Sequence, residues 1–395
     1  MTKVQDVSLE ELIDIKHGFA FKSDFFQSEP SDYILLTPGN FNVNKTLYFG
    51  RNTKYYLGDI PSGYVLDNGD LLVVMTDLTK EMNILGNAVI LHSKKKVLHN
   101  QRIGKITIKD HQVISKDYLM YILNSDTVRK NIKATASGTT VRHTSPKKIL
   151  ELVIPLPPLL EQFRIAEVLG VWDESIDLLE KLVGKTRSRK QGLMQQLLTG
   201  KKRFKEFEGS EWKEYQLSEI ANITMGTSPK SESYNSNKEG LPLLQGNADI
   251  KNRVSLPRIW TSEVTKECYP NDILISVRAP VGTVAISLHH ACIGRGIASI
   301  KAKSKVLPNY LYQLLLFFEP KWASLSQGST FDSVNSADIK SRIFSIPLMI
   351  PEQAKIAAVL SAADEEISTL EKQLAAYKQQ KLGLMQQLLT GRIRI

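Results

Sequence analysis

The residues of this chain that could do chemistry are hydrogen-bond donors in loops, not catalytic sets. Methyl transfer from S-adenosylmethionine to DNA needs a Gly-rich turn and an Asn/Asp-Pro-Pro-aromatic loop. Pro157-Pro158 lacks both the preceding acidic or amide residue and the following aromatic. A G-x-x-x-x-G-K-[ST] phosphate loop, the mark of an ATP-driven motor, is absent. Gly294-Arg295-Gly296 comes nearest to a phosphate turn but lacks the third Gly and a βαβ context. The seven histidines show no metallohydrolase spacing, and His289-His290 reads as a loop pair. No catalytic residue, cofactor or metal is therefore expected.

What remains is recognition. The net charge of +10 and the pI near 9.3 point to a polyanionic partner, nucleic acid before membrane. Residues that read base edges must be polar, loop-borne and rich in donors. In the first part of the chain these are Lys16, His17, Phe19, Lys22, Asn40, Asn42, Asn100, Gln101, Arg102, Thr139, Thr140, Arg142 and His143. In the second they are Thr227, Lys230, Asn247, Arg278, Arg295, Ser329, Thr330 and Asn335. Arg suits O6 and N7 of guanine, and Asn or Gln suits N6 and N7 of adenine. Phe19 and Phe21 flank Ala20 at strand spacing, which favours the core over base stacking. Arg278 follows a buried strand, where a structural role competes with a base contact. The basic run Lys201-Lys202-Arg203-Phe204-Lys205 suits phosphate or a solvated linker equally. Lys94-Lys95-Lys96 reads as a hairpin tip, with phosphate contact as the alternative.

The elements that must position these residues occur twice. Residues 161–200 and 352–391 align without a gap at an offset of 191, with 22 of 40 positions identical, and both end in GLMQQLLTG. A repeat of this length implies two halves related by a pseudo-two-fold axis. Each copy reads as a long helix, entered after Pro158 or Pro351 and stopped at Thr199-Gly200 or Thr390-Gly391. A 4-3 apolar register runs Ile165, Leu169, Trp172, Ile176, Leu179, Val183, Thr186, Lys190, Leu193, Leu197. Its counterpart is Ile356, Leu360, Ala363, Ile367, Leu370, Leu374, Tyr377, Lys381, Leu384, Leu388. That is a coiled-coil seam, and two such seams in one chain pair most simply with each other, antiparallel. Bulky Trp172 stands at the repeat position of small Ala363, and small Thr186 at that of bulky Tyr377, so the sizes complement. Gly192 and Gly383 each cost about 1 kcal/mol inside a helix. Their recurrence suggests either close approach of another helix or a tolerated blemish.

The blocks outside the helices share a weaker skeleton. Leu9, Glu11, Leu12, Ile15 and Gly18 match Leu217, Glu219, Ile220, Ile223 and Gly226. Asp70-Leu71-Leu72-Val73-Val74 matches Asp272-Ile273-Leu274-Ile275-Ser276 as a buried strand. Tyr118-Leu119 matches Tyr310-Leu311, and Ile154-Pro155-Leu156 matches Ile346-Pro347-Leu348. These are two homologous α/β domains whose loops differ. At 395 residues the chain exceeds one ordinary core. No stretch reaches about 18 apolar residues, so no membrane span is expected. The start, MTKVQDVSLEELIDI, lacks a signal pattern, and only Cys268 and Cys292 occur, which fits a reducing cytosol.

The order domain, helix, domain, helix, with PxxEQ…IA…L opening and GLMQQLLTG closing each helix, strongly resembles the specificity subunit of type I restriction–modification systems. GDLLVVMT at 69–76 and NDILISVRAPVG at 271–282 resemble that family's target-recognition domains. The resemblance covers the whole chain. It implies an α+β protein with target-recognition domains at 1–157 and 206–348 and repeat helices at 158–205 and 349–395, paired as an antiparallel coiled coil. Each domain would read one half of a split, asymmetric DNA site, with the helices as a ruler. The helices would dock two methyltransferase subunits, joined by restriction/translocase subunits. Met194, Gln195, Gln196, Met385, Gln386 and Gln387, at the ends of the repeats, are the expected partner-binding residues. Two other readings stand beside this one: a self-contained DNA modification enzyme, which the missing cofactor motifs disfavour, and a purely structural scaffold with incidental charge.

Overall fold

The structure, a computed structural model, describes residues 4–325 and 333–395. The chain divides into two compact units, residues 1–179 with 373–395, and residues 180–372. Each contains one α/β domain together with part of each long helix.

In the first unit a four-stranded antiparallel sheet runs in the order Ile13–His17, Ile103–Ile108, Leu71–Val74, Ala88–Ile90. A second, five-stranded sheet includes the parallel neighbours Tyr33–Leu36 and Lys96–His99. Leu71–Val74 is apolar throughout and buried throughout. Its odd residues Leu71 and Val73 face the helix side with Tyr118, Leu119 and Ile122. Its even residues Leu72 and Val74 face the other sheet with Ile34, Leu36 and Val97. That alternation is the period of two expected of a strand buried on both faces.

The second unit repeats the plan. Its main sheet places Ala221–Met225, Ile297–Ala302, Ile273–Ser276 and Val284–Ile286 side by side. The helix Pro308–Leu325 packs on it through Tyr310, Leu311 and Leu314. Where that helix is continuous, the first unit has two, Lys116–Leu123 and Asp126–Ala134, each capped by a serine hydroxyl, from Ser115 and Ser125. Among the described residues no helix is long and apolar enough to cross a membrane.

The long helices run Leu159–Leu197 and Ile350–Leu388. Gly200 and Gly391 follow them at φ +68°, the left-handed cap that glycine adopts without strain. Every seam position named above is buried or half-buried. Within each unit the pairing is antiparallel. In the first, Asp173 meets Lys381 and Glu161 meets Arg394. In the second, Arg187 meets Glu371, Lys190 meets Asp364 and Arg203 meets Glu352. The expected size complementation takes a different form. Trp172 and Tyr377, the two bulky residues, meet edge to face at 5.3 Å in the first unit. The small pair, Thr186 and Ala363, lies buried in the second.

The EQ of each repeat staples helix to domain. Gln162 Oε1 accepts from the Ser115 N–H at 2.9 Å, and its Nε2 donates to the carbonyls of Val113 and Pro157, both at 2.9 Å. Gln353 does the same with Leu307, Lys305 and Pro347. Both glutamines are 0% exposed, so all their polar atoms must be satisfied internally, as they are.

Met194 and Met385 are corrected by the fold. Each lies in its own unit's core, 8% and 6% exposed. The flanking Gln195, Gln196, Gln386 and Gln387 are exposed. Gly192 and Gly383 are also exposed, and a Cβ built on either meets nothing within 4 Å. Among the described residues, neither glycine has another helix packed against it. Arg203 is likewise not a free phosphate ligand, because its guanidinium is held by Glu352.

Candidate nucleic-acid interface

In the first domain four segments converge at one end of the sheet. Gly18 is pressed so closely on the Asn100 segment that a Cβ would lie 2.2 Å from the Asn100 carbonyl oxygen. Phe19 N–H donates to His99 O at 2.7 Å, and Gln101 N–H to Phe19 O at 3.0 Å. Met75 N–H donates to Arg102 O, and Thr144 N–H to Met75 O, both at 3.0 Å. The short strand Thr76–Asp77 then pairs with Arg142–His143, and the Thr76 hydroxyl meets His143 Nδ1 at 3.1 Å. Backbone bonds thus tie together His17, Phe19, Gln101, Arg102, Arg142 and His143, which lie far apart in sequence.

The side chains left outward are polar. His17, Gln101, Arg102, His143, Thr139 and Thr140 are exposed. Lys16 is exposed and sits 4.4 Å over the Tyr64 ring, with its ammonium donating to Gly63 O at 3.1 Å. Ser137 and His143 close a hairpin through two 2.9 Å backbone bonds. Gly138 turns it at φ +94°, and Arg142 Nη1 donates to Gly138 O at 2.6 Å. Lys22 and Asn42 are exposed further along the surface. Asn42 Nδ2 donates to the Thr46 hydroxyl at 3.0 Å.

The second domain repeats the convergence with other residues. A Cβ on Gly226 would lie 2.2 Å from Gly294 O. Thr227 N–H donates to Ile293 O at 2.9 Å, and Val277 N–H to Gly296 O at 2.9 Å. Arg295 is exposed and donates through N and Nε to the Ser228 hydroxyl, at 3.2 and 3.3 Å. Arg278 is exposed and its backbone bridges Ser333. Lys230 is exposed, and half-buried Asn247 opens the turn Asn247–Asp249. Ser329 and Thr330 lie outside the described residues.

Three of the expected readers have structural work in the fold. Asn40 is 2% exposed, and its amide accepts from Thr37 N and Oγ1 while donating to Tyr48 O. Asn100 is 8% exposed and accepts from Arg102 N–H at 3.0 Å. Asn335 caps the helix Ser336–Lys340, accepting from Ala337 and Asp338 N–H. Phe19 is half-buried and packs edge to face on Phe21 at 5.2 Å, as its spacing suggested.

Sequence reasoning missed Asp77. It is 1% exposed, and its carboxylate gathers the loop that follows. Burial pushes its pKa up. The N–H groups of Ile84 and Thr79, the Thr79 hydroxyl and the Leu85 N–H outweigh that and hold it below the ordinary carboxylate range. The Asp-x-Thr spacing was the available signal, since Asp at a turn start accepts from the residue two further on. His99, also buried here, has its pKa pushed down to about 4, first by burial and then by Lys105 and Lys16. Among the described residues no group of His, Cys, Asp and Glu is arranged to hold a metal ion.

Two copies of one α/β scaffold, each with polar loops gathered at one sheet end and each packed on two long helices, define a duplicated recognition protein. The chain belongs to the type I restriction modification DNA specificity domain family, whose pattern matches residues 1–183 and again 209–377. It is 33% identical to a Methanocaldococcus jannaschii protein provisionally assigned as the type I restriction enzyme MjaX specificity subunit, over 84% of this chain and 83% of that one. It is 25% identical to the type I restriction enzyme EcoBI specificity subunit of Escherichia coli, over 93% and 81%. The fold is shared with the S subunit of a type I restriction-modification system from M. genitalium, at a TM-score of 0.63 and 18% identity over 98% of this chain and 96% of that one.

Proposed function

We propose that this chain is the non-catalytic subunit that selects the DNA sequence for a type I restriction–modification complex, each domain reading one half of a split, asymmetric site. The observation that carries this reading is the repeated convergence: Gly18 on Asn100 and Gly226 on Gly294 anchor the same loops, yet the exposed residues beside them differ. One scaffold with two sets of side chains suits two unlike half-sites. In the first domain the readers are Lys16, His17, Lys22, Asn42, Gln101, Arg102, Thr139, Thr140, Arg142 and His143. In the second they are Thr227, Lys230, Asn247, Arg278 and Arg295.

The paired helices fix the separation of the domains. Each helix has 39 residues, about 58 Å at about 1.5 Å per residue. They also carry the docking surface for two methyltransferase subunits, with restriction/translocase subunits joining the complex in the cytoplasm. An exposed apolar stripe supports this. Leu160, Phe163, Val171 and Leu178 fall on one side of their helix at 64%, 51%, 60% and 58% exposure. The exposed Gln195-Gln196 and Gln386-Gln387 pairs are further docking residues, one pair in each unit.

The test is DNA binding by the chain with and without its methyltransferase partner across a salt series. The expected result is sequence-selective, salt-dependent binding by the assembly. Binding of S-adenosylmethionine by the chain alone would instead mark a self-contained modification enzyme. An assembly with no sequence preference would leave only a scaffold.

A further inference from the structure

The two domains differ in the loop that leaves the central strand. In the second domain Ser276 N–H donates to Thr283 O at 3.0 Å and Gly282 N–H to Ser276 O at 2.8 Å, enclosing six residues between Ser276 and Thr283. The equivalent bonds in the first domain are Val74 N–H to Asn87 O at 3.0 Å and Gly86 N–H to Val74 O at 2.8 Å. They enclose twelve residues between Val74 and Asn87. The first domain therefore carries additional chain at this position.

That chain is held in one shape. Asp77 Oδ1 accepts from the Thr79 N–H and hydroxyl, both at 2.8 Å. Its Oδ2 accepts from Ile84 N–H at 2.6 Å and Leu85 N–H at 3.1 Å. From the neighbouring helix Asp126–Ala134, Arg129 donates to Asn83 O at 3.0 Å and Lys133 to Glu81 O at 3.2 Å. A loop tied at both ends and along its length has little entropy left to lose on binding.

The loop also springs from the reading surface. Asp77 pairs with Arg142 in the short strand that carries His143. The next residue, Leu78, is 63% exposed, and Thr79 and Lys80 beside it are exposed too. A large apolar side chain held out from an ordered loop beside the polar reading residues can make a contact that they cannot, burial against an apolar group on a base edge. The 5-methyl group of thymine is the apolar feature that base pairs display in the major groove.

We propose that residues 78–83 form a further recognition element for the half-site read by the first domain, with Leu78 against a thymine methyl group, Lys80 toward the adjacent phosphate, and Asp77 as the positioning residue. This rests on the function proposed above. The decisive probe is a set of duplexes bearing the site mapped from genomic methylation, with each thymine replaced in turn by deoxyuridine, which removes one methyl group. In the assembled complex, wild type should lose about fourfold in affinity at one thymine of one half-site, the worth of one buried methyl-sized group. Leu78→Ala should bind the thymine and deoxyuridine duplexes alike at that position. Asp77→Asn keeps the shape and removes the charge, and should lose the same sensitivity while the other half-site is read as before. Lys80→Ala should weaken all sequences alike. Undiminished deoxyuridine sensitivity in Leu78→Ala, or a wild type insensitive at every thymine, overturns the inference alone. A complex that recognises no split site overturns it together with the reading on which it rests.

Discussion

Arg203 donates through Nε and Nη2 to the two carboxylate oxygens of Glu352, at 2.8 and 2.6 Å. The Glu352 side chain is 1% exposed and also accepts from Trp212 Nε1. Arg203 Nη1 reaches Ser210 O at 2.6 Å, so one guanidinium joins the start of one long helix to the linker that enters the second domain. Arg394 and Glu161 repeat the bidentate pair in the first unit. Removing one partner of a buried pair leaves an uncompensated charge, at a cost of about 3–5 kcal/mol. Arg203→Ala should destabilise the second unit by roughly that amount, and the first should keep its stability. Urea denaturation followed by hydrogen exchange in each unit reads this directly, and an equal loss in both units would show that the pair does not act locally.

The docking stripe gives a second test. Phe163→Asp with Val171→Asp changes two exposed residues, so stability should stay within about 0.5 kcal/mol, and binding of the methyltransferase subunit should fall at least tenfold. Met194→Glu should do the opposite, unfolding the second unit because it places a charge in the core with Leu217 and Ile356. Sizing chromatography near the dissociation constant, beside thermal melts, separates the two behaviours. Full complex formation by the Phe163/Val171 variant would place the docking surface elsewhere.

His99 makes the first unit sensitive to acid. It is neutral when folded, with a pKa of about 4, and Nε2 contacts Ile103 O at 2.8 Å. Unfolded, it takes up a proton near pH 6.5. Its contribution is fully present above that value and is lost as pH falls toward about 4, a change of about 3 kcal/mol. His99→Gln should flatten this part of the stability profile. An unaltered slope between pH 6.5 and 4 in the variant would remove His99 from the account.

The helices were the most legible part of this protein, because an ungapped repeat and a sustained 4-3 register leave one interpretation, and every seam position is at least half-buried. The roles of Glu161, Gln162, Glu352 and Gln353 were hidden. Their partners, Arg394, Val113, Arg203 and Lys305, are brought to them only by tertiary folding. At the site, the alignment of Gly18 with Gly226 marked a shared skeleton, but the convergence of loops there emerged only in the fold, and residue type misled within it. Asn40 and Asn335 have the chemistry of base readers, and also the chemistry of turns and helix caps. Met194 sits beside two exposed glutamines, and one helical step of 100° separates core from surface. The loop at 78–83 went unread because exposed Leu78 carries no motif of its own.

The ruler predicts a spacing change. Four residues inserted after Gly184 and four after Ala375 lengthen both helices by about 6 Å. That is under two base pairs at about 3.4 Å each. The insertion also adds about 40° beyond a full turn, so the fit of domain to DNA must adjust. The two half-sequences should be retained with a spacer longer by about one or two base pairs, read by mapping methylated positions. Methylation only at the original spacing would separate the helices from the spacer.

The central claim is that each domain reads its own half-site. Residues 1–157 can be replaced by the corresponding domain of a relative with a different target, and the hybrid assembled with the native methyltransferase. Sequencing of methylated positions should then show one half of the recognised sequence changed and the other half identical to the parent. A change in both halves, or in neither, would contradict the account.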